Sequence, residues 1–442
     1  MKILLVQPPR TEGTISTVDM MLSEPLALEV LAANLTEHDV KILDMRLDPD
    51  LEGALSSFQP DMVGTTAFTV EVYKAYGILK KAKEYNADIL TVIGGQHATL
   101  SPEDFNKEYI DIVAIGEGEY LVREIVEAQK KKSGFTEIKG LGLRVDGKFV
   151  LTGARDPIVD LDVLPFADRK LTSVYREKYH RGVWKPVASI FSSRGCPFRC
   201  DYCAMWKLFK GQFRVRQAKN FVDELESLPE KYISFADDNT LQNVSYAESI
   251  YKEIRDRNIK KSYKIYGRSD TIVKHPEIVD MWKSIGMELI FIGLEAIKNE
   301  DLKNRNKKNT VENNEKAVKI LHDKKVEIVG SFLVDQNFTE KDFKDMADYV
   351  ESRDLIHPVF TILTPFPGTD LYDKRHKEIT TKNYELFDIF HSVLPTKLPL
   401  KEFYAHFIGL YRRAYSKHDN KFLNDATITA LLSNLMSAHS VN

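Results

Sequence analysis

The sequence predicts an α/β protein made of two successive parallel sheets, a doubly wound, Rossmann-like sheet and then a partial (β/α)6 barrel of TIM type, ending in a helical C-terminal region. Three observations predict it. Short apolar runs alternate with helix-period segments over roughly the first 130 residues, and the alternation restarts at Ala188. Glycines and short polar residues gather just after the strands in both halves, where such sheets bind ligands. All three cysteines of the 442-residue chain lie in one run at the head of the second half, Cys196-Pro197-Phe198-Arg199-Cys200-Asp201-Tyr202-Cys203.

The composition is that of an ordinary globular protein, with 43% apolar and 29% charged residues, and a net charge of −3 argues against a general nucleic-acid binder. No apolar run approaches the roughly 18 residues of a membrane span. The N-terminus reaches Pro8-Pro9 too soon for a signal peptide, so the chain reads as cytoplasmic. The expected division is 1–132, a connector 133–187, 188–380, and a C-terminal region 381–442.

In the first unit, strands are expected at Lys2 to Val6, Val40 to Leu43, Met62 to Thr66, Ile89 to Ile93 and Ile110 to Ile115. Helices are expected at Glu24 to Leu35, Leu51 to Phe58, Val70 to Tyr85 and Tyr120 to Lys131. The strand ends carry Gly64-Thr65-Thr66, Gly94-Gly95-Gln96-His97 and Gly116-Glu117-Gly118-Glu119, whose glycines let a flat ligand or a phosphate approach the backbone. None forms Gly-x-Gly-x-x-Gly, so a dinucleotide site is weakly supported. In the connector, Lys139 to Val145 and Lys148 to Leu151 flank Asp146-Gly147, a two-residue hairpin signal.

The second unit has strands expected at Ala188 to Ser192, Tyr232 to Phe235, Lys264 to Tyr266, Leu289 to Ile292, Val326 to Val334 and Val359 to Leu363. Helical patterns lie between them. Polar groups cluster at the strand ends, notably Asp237, Asp238, Arg268, Gly293 and Glu295. In the tail, Phe403, Phe407, Leu410 and Tyr411 share one helix face, a pattern that belongs to a core more often than to a substrate site.

Three clustered thiols need a chemical reason. A closed zinc site takes four ligands, and no histidine lies nearby in sequence. An iron–sulfur cluster also takes four ligands, so three cysteines leave one iron open to a ligand that is not protein. The alternatives are a non-catalytic iron–sulfur electron carrier or sensor, a zinc module with a remote ligand, and three reduced thiols that fall together by chance.

The run Cys196-x3-Cys200-x-Tyr202-Cys203 resembles the signature of radical S-adenosylmethionine (AdoMet, SAM) enzymes. The resemblance implies a [4Fe-4S] cluster held by Cys196, Cys200 and Cys203, with AdoMet on the open iron and a 5′-deoxyadenosyl radical as oxidant. It also implies AdoMet contacts from Tyr202, Asp237, Asp238, Arg268, Gly293 and Glu295. The first unit resembles the cobalamin-binding domain that precedes many radical SAM domains, which implies cobalamin contacts from Gly64, Thr65, Thr66, Gly94, Gly95, Gly116, Glu117 and Gly118, with His97 lining the pocket. The Asp-x-His-x-x-Gly motif that supplies a lower cobalt ligand is missing. The stretch from Phe390 to Pro399 resembles a segment of radical enzymes that methylate hopanoids and similar lipids. Together these imply a cobalamin-dependent radical SAM methyltransferase acting on an unactivated carbon of an apolar, lipid-like substrate, with ferredoxin or flavodoxin as electron donor. The same family also contains enzymes of cyclisation, rearrangement and oxidation.

Overall fold

The computed structural model describes residues 1–11, 14 and 21–416. The first sheet contains β1 (Lys2–Gln7), β2 (Asp39–Asp44), β3 (Met62–Thr66), β4 (Leu90–Gly94) and β5 (Ile112–Ala114), all parallel, in the order β2-β1-β3-β4-β5. Its strands read as nearly continuous apolar runs because both faces are covered. On one face, Leu4, Val6, Val63 and Ile93 pack against α2 (Leu51–Phe58) and α3 (Val72–Tyr85). On the other, Ile3, Leu5, Leu90 and Val92 pack against α1 (Leu26–Ala33) and α4 (Gly118–Lys131).

The hairpin expected inside the connector continues this sheet: β6 (Leu141–Val145) pairs antiparallel with β5, and β7 (Lys148–Leu151) with β6. Asp146 and Gly147 both adopt left-handed backbone, at φ 48° and 76°, as a two-residue primed turn requires.

The second sheet has six parallel strands in chain order, β8 (Val187–Ile190), β9 (Tyr232–Phe235), β10 (Ser262–Gly267), β11 (Met287–Glu295), β12 (Glu327–Val334) and β13 (His357–Ile362). Helices α5 (Ala218–Ser227), α6 (Val244–Asp256), α7 (Pro276–Ser284), α8 (Val311–Asp323) and α9 (Glu340–Ser352) cover its outer face in an open-barrel arrangement. Alternate strand residues such as Ile233, Phe235, Tyr263, Ile265, Ile290 and Ile292 face these helices, leaving the intervening positions to the lumen. Helix α10 (Leu400–Tyr415) buries Phe403, Phe407, Leu410 and Tyr411 in the same apolar cluster, so the stripe is core. The remainder of the expected helical tail, 417–442, lies outside the described residues. Among the described residues, no helix is long and apolar enough to cross a membrane.

Candidate functional site

The cysteine loop leaves β8 through Phe191 and Ser192. Its base is closed where Ser193–Arg194 pairs antiparallel with Arg214–Val215. Gly195 sits at φ 89°, and an added Cβ would collide with the Gln212 carbonyl, so only glycine closes the loop here. Two aspartates at the end of β9 fix its first residues. Asp237 accepts hydrogen bonds from the Ser192 N–H (2.7 Å), the Ser192 hydroxyl (2.7 Å) and the Ser193 N–H (3.0 Å), and Asp238 accepts from the Gly195 N–H (2.7 Å). The far side is held by segments that follow β11 and β13, since Asn306 donates to the Arg199 carbonyl (2.6 Å) and the Leu371 N–H to that of Asp201 (2.8 Å).

Cys200 is buried, and Cys196 and Cys203 are half-buried. Burial pushes all three thiols up, Cys203 to about 12; the charge of neighbouring cysteines raises Cys196 and Cys203 further, and that of Glu295 raises Cys200. A thiolate set here therefore needs bound positive charge. Among the described residues, no three His, Cys, Asp or Glu side chains converge as ligands of a single ion.

Beside Cys200, Lys307 Nζ donates to Glu295 Oε1 (2.7 Å), and the Tyr202 hydroxyl bonds to the same carboxylate. Gly293 leaves room for this pair, because an added Cβ would meet both Glu295 Oε1 and Lys307 Nζ. Glu295 itself has left-handed backbone, φ 65°, at a register shift between β11 and β12. Arg268 lies under the loop, its guanidinium 3.5 Å from the centroid of the Phe198 ring and hydrogen-bonded to Asp270 (2.9 Å) and to the carbonyls of Lys307 (3.0 Å) and Lys308 (3.2 Å).

A cavity of about 490 Å³ opens between the carboxyl ends of the two sheets. Gly64, Thr65, Thr66, Gly94, Gly95, Gly116, Glu117 and Gly118 line it from the first sheet, and Phe191, Ser193, Arg194, Ala236 and Asp238 from the second. Its deep end is an apolar slot under the first sheet, walled by Leu5, Leu28, Leu31, Met62 and Val122. Gly95 sits at φ 94°, where an added Cβ would fall on the Thr66 hydroxyl. Arg194 crosses the cavity's rim to Glu117 (2.8 Å) and Glu119 (2.5 Å), and Arg214 also reaches Glu117 (2.8 Å). Burial alone would raise the Glu117 carboxyl, but hydrogen bonds from Arg214 and Arg194 outweigh it and hold the group below its ordinary value.

A B12 binding domain model matches residues 20–126, and a radical SAM superfamily model matches residues 190–350. The chain is 31% identical to an uncharacterized methyltransferase of Pyrococcus horikoshii over 94% of its length and 92% of that protein's. It belongs to the cobalamin-binding radical SAM enzymes. The hopanoid C-3 methylase of Methylococcus capsulatus is 28% identical over 95% of this chain and 81% of its own. The fold matches that of TsrM from Kitasatospora setae, a radical SAM methyltransferase solved with cobalamin and a [4Fe-4S] cluster, at a TM-score of 0.73 and 17% identity, covering 100% of this chain and 99% of that one. The cofactors of this radical SAM enzyme are cobalamin, a [4Fe-4S] cluster and AdoMet.

Within the enzyme, the sequence-predicted residues fall into two groups. The eight glycine-loop residues line the cavity, while Cys196, Cys200, Cys203, Tyr202, Arg268, Gly293 and Glu295 surround the loop, with Asp238 touching both. Asp237 is spent on Ser192 and Ser193 and acts by fixing the loop. His97 does not line the cavity, contrary to expectation. Its ring is buried, with Nδ1 on the Thr69 hydroxyl (3.1 Å) and Nε2 on Asp104 (2.9 Å), and Asp104 also accepts from Tyr384 (2.8 Å). The histidine therefore ties the first domain to the C-terminal region. Sequence reasoning missed Arg194, Arg214 and Lys307. It also missed Met205, Leu208 and Phe209, which line the cavity from just beyond the last cysteine. That apolar run was the one available signal.

Proposed function

We propose that the chain is a methyltransferase acting on an unactivated carbon of an apolar, lipid-like substrate. Cys196, Cys200 and Cys203 hold the cluster, Tyr202, Asp238, Arg268, Gly293 and Glu295 receive AdoMet, and the glycine-lined cavity holds cobalamin. The observation that carries this reading is the shared cavity: its rim residue Arg194 lies two positions before Cys196, so a ligand on the glycine loops and one on the cysteine loop address the same space. The residues fit both cofactors. The apolar slot and the left-handed Gly95 suit a flat macrocycle with a tail, and the three-thiol loop leaves an iron free for AdoMet.

When bound, the cofactors supply hydrogen-atom abstraction and a transferable methyl group. The protein's own part is placement and exclusion. Asp237 and Asp238 hold the loop rigid, the Glu295–Lys307 pair sets a neutral, preorganised wall beside Cys200, and the stacked rings of Trp184 and Tyr232 (5.1 Å between centroids) close the barrel floor to water. The reading places the protein in the cytoplasm, with ferredoxin or flavodoxin as reductant.

The test is anaerobic reconstitution with iron, sulfide and hydroxocobalamin, followed by product counting. Equal S-adenosylhomocysteine and 5′-deoxyadenosine per methylated product is expected. 5′-Deoxyadenosine without S-adenosylhomocysteine would assign cyclisation or oxidation instead, and cluster absorbance persisting in Cys200→Ala would refute the ligand assignment.

A further inference from the structure

The barrel lumen contains a lysine whose side chain has no hydrogen-bond partner among the described residues. Lys264, in the middle of β10, is 1% exposed, and its Nζ has no hydrogen-bond partner. Its neighbours in register on the two adjoining strands are Ser234 on β9 and Leu289 on β11, neither of which carries charge. The ammonium packs over the rings of Tyr266 and Phe291, which gives a cation–π contact and no acceptor. Asp237, the carboxylate that bears on it, has both oxygens taken by Ser192 and Ser193.

A second cation faces the same space. Arg181 bears electrostatically on both Lys264 and Tyr266, and its Nε is buried without a partner. Burial, reinforced by the charge of Arg181, holds the Lys264 amine well below its ordinary value, so its charged form is favoured only when a negative group joins the two side chains.

Their depth decides what that group belongs to. Below Lys264 the lumen is closed by Trp184, Val187 and Tyr232, which cluster with Leu289 at its own level. Above it, lumen positions Phe291, Leu333 and Val359 remain partly exposed, so the space widens toward the cofactor mouth between apolar walls. A cationic floor beneath an apolar shaft is complementary to an amphiphile with one anionic end.

We propose that Lys264 and Arg181 form an anion-binding subsite at the barrel floor, and that the substrate is an amphiphile whose carboxylate or phosphate end seats there. This deepens the methyltransferase reading by naming a substrate class and rests on it. The apolar body then extends along Phe291, Leu333 and Val359 toward the cysteine loop, and the fixed end sets which carbon reaches the reacting position. Arg181 and Lys264 are binding and positioning residues.

The test uses full-length protein reconstituted with cluster and cobalamin, titrated calorimetrically with dodecanoate, dodecyl phosphate and, as the uncharged control, dodecanol. The wild type is expected to bind at least one anion at least tenfold tighter than the alcohol, and which anion is tighter identifies the headgroup. Lys264→Met is expected to erase that preference while changing dodecanol affinity less than twofold, and Arg181→Met to weaken it in part. Iron and cobalt content with the circular dichroism spectrum reports folding; should Lys264→Met lose them, Lys264→Gln takes its place. Absence of binding, equal affinity for alcohol and anions, or a preference that survives at position 264 overturns the subsite. The product count above is read separately, so failure of the subsite and failure of methyl transfer are distinct.

Discussion

The two outer edges of the open barrel are sealed in opposite ways. An uncapped edge strand exposes unpaired N–H and C=O groups, and both β8 and β13 would do so. On β8, charge supplies the partners: Glu24 accepts from the Ser189 N–H (2.5 Å), and Arg169 donates to the Ser189 carbonyl (2.6 Å). These two belong to a buried network with Arg176, Glu224 and Glu230, and with Glu29 through Thr172. On β13, neutral groups do the same work. The Tyr411 hydroxyl accepts from the Phe360 N–H (3.0 Å) and donates to its carbonyl (2.5 Å), Tyr415 donates to the Pro358 carbonyl (2.7 Å), and the Ile362 N–H reaches the Ile389 carbonyl (2.6 Å). The ionic seal draws Glu24 and Glu29 from the cobalamin domain and so joins two domains. The neutral seal draws on α10 and stays within the barrel. Joining domains through buried charge makes that edge sensitive to pH and intolerant of losing one member.

Breaking the ionic seal is expected to have the largest effect. Arg169→Met removes the donor to Ser189 and the partner of Glu224 (2.7 Å), leaving buried carboxylates short of a cation. A loss of about 3–5 kcal/mol is expected, read as a lower urea midpoint at unchanged slope. An unchanged midpoint would mean that Arg176 and Arg216, the latter paired with Glu224 (2.5 Å), carry the network unaided.

The neutral seal should cost less to break. Tyr411→Phe leaves the Phe360 N–H and C=O unpaired under α10, for about 1–3 kcal/mol. Burial pushes the Tyr411 hydroxyl far above its ordinary range, so the loss should be the same at pH 5 and pH 8. A loss that varies across that interval would contradict the neutral account.

This contrast also marks what the sequence could disclose. The strands were legible because burial on both faces leaves short unbroken apolar runs such as Ile3 to Val6. The cysteine loop was legible because ligand spacing is local, and the glycine ends because tight strand exits need glycine. The seals were not, since Glu24 and Ser189 stand 165 positions apart and Glu24 reads as the first residue of a helix. Lys307 was hidden for a related reason. The stretch Lys303-Asn304-Arg305-Asn306-Lys307-Lys308 has the composition of a solvated loop, and only the fold turns one of its cations inward to Glu295. His97 misled because it follows Gly95, although the short helix Gln96–Leu100 turns its ring into the core.

The finest test of the contrast is Glu29, the member of the ionic seal with no guanidinium hydrogen-bonded to it. Burial, reinforced by the charge of Glu24, raises its carboxyl from 4.5 to about 8, so at neutral pH it is held as the acid against Thr172. The folded state then keeps a proton that the unfolded state releases between pH 4.5 and about 8. Stability from this group is full below that window and is lost as pH rises through it. Glu29→Gln keeps an acceptor for Thr172 and cannot ionise. Near pH 5 the variant should therefore melt within a degree or two of the wild type, with its relative stability increasing as pH rises and levelling off above about 8, where the gain should reach at least about 1 kcal/mol. The difference in melting temperature, followed from pH 5 to 9, reads this directly. A difference that stays constant would show that Glu29 is ionised throughout, and that Arg169 and Arg176 neutralise the β8 edge as fully as tyrosine hydroxyls satisfy β13.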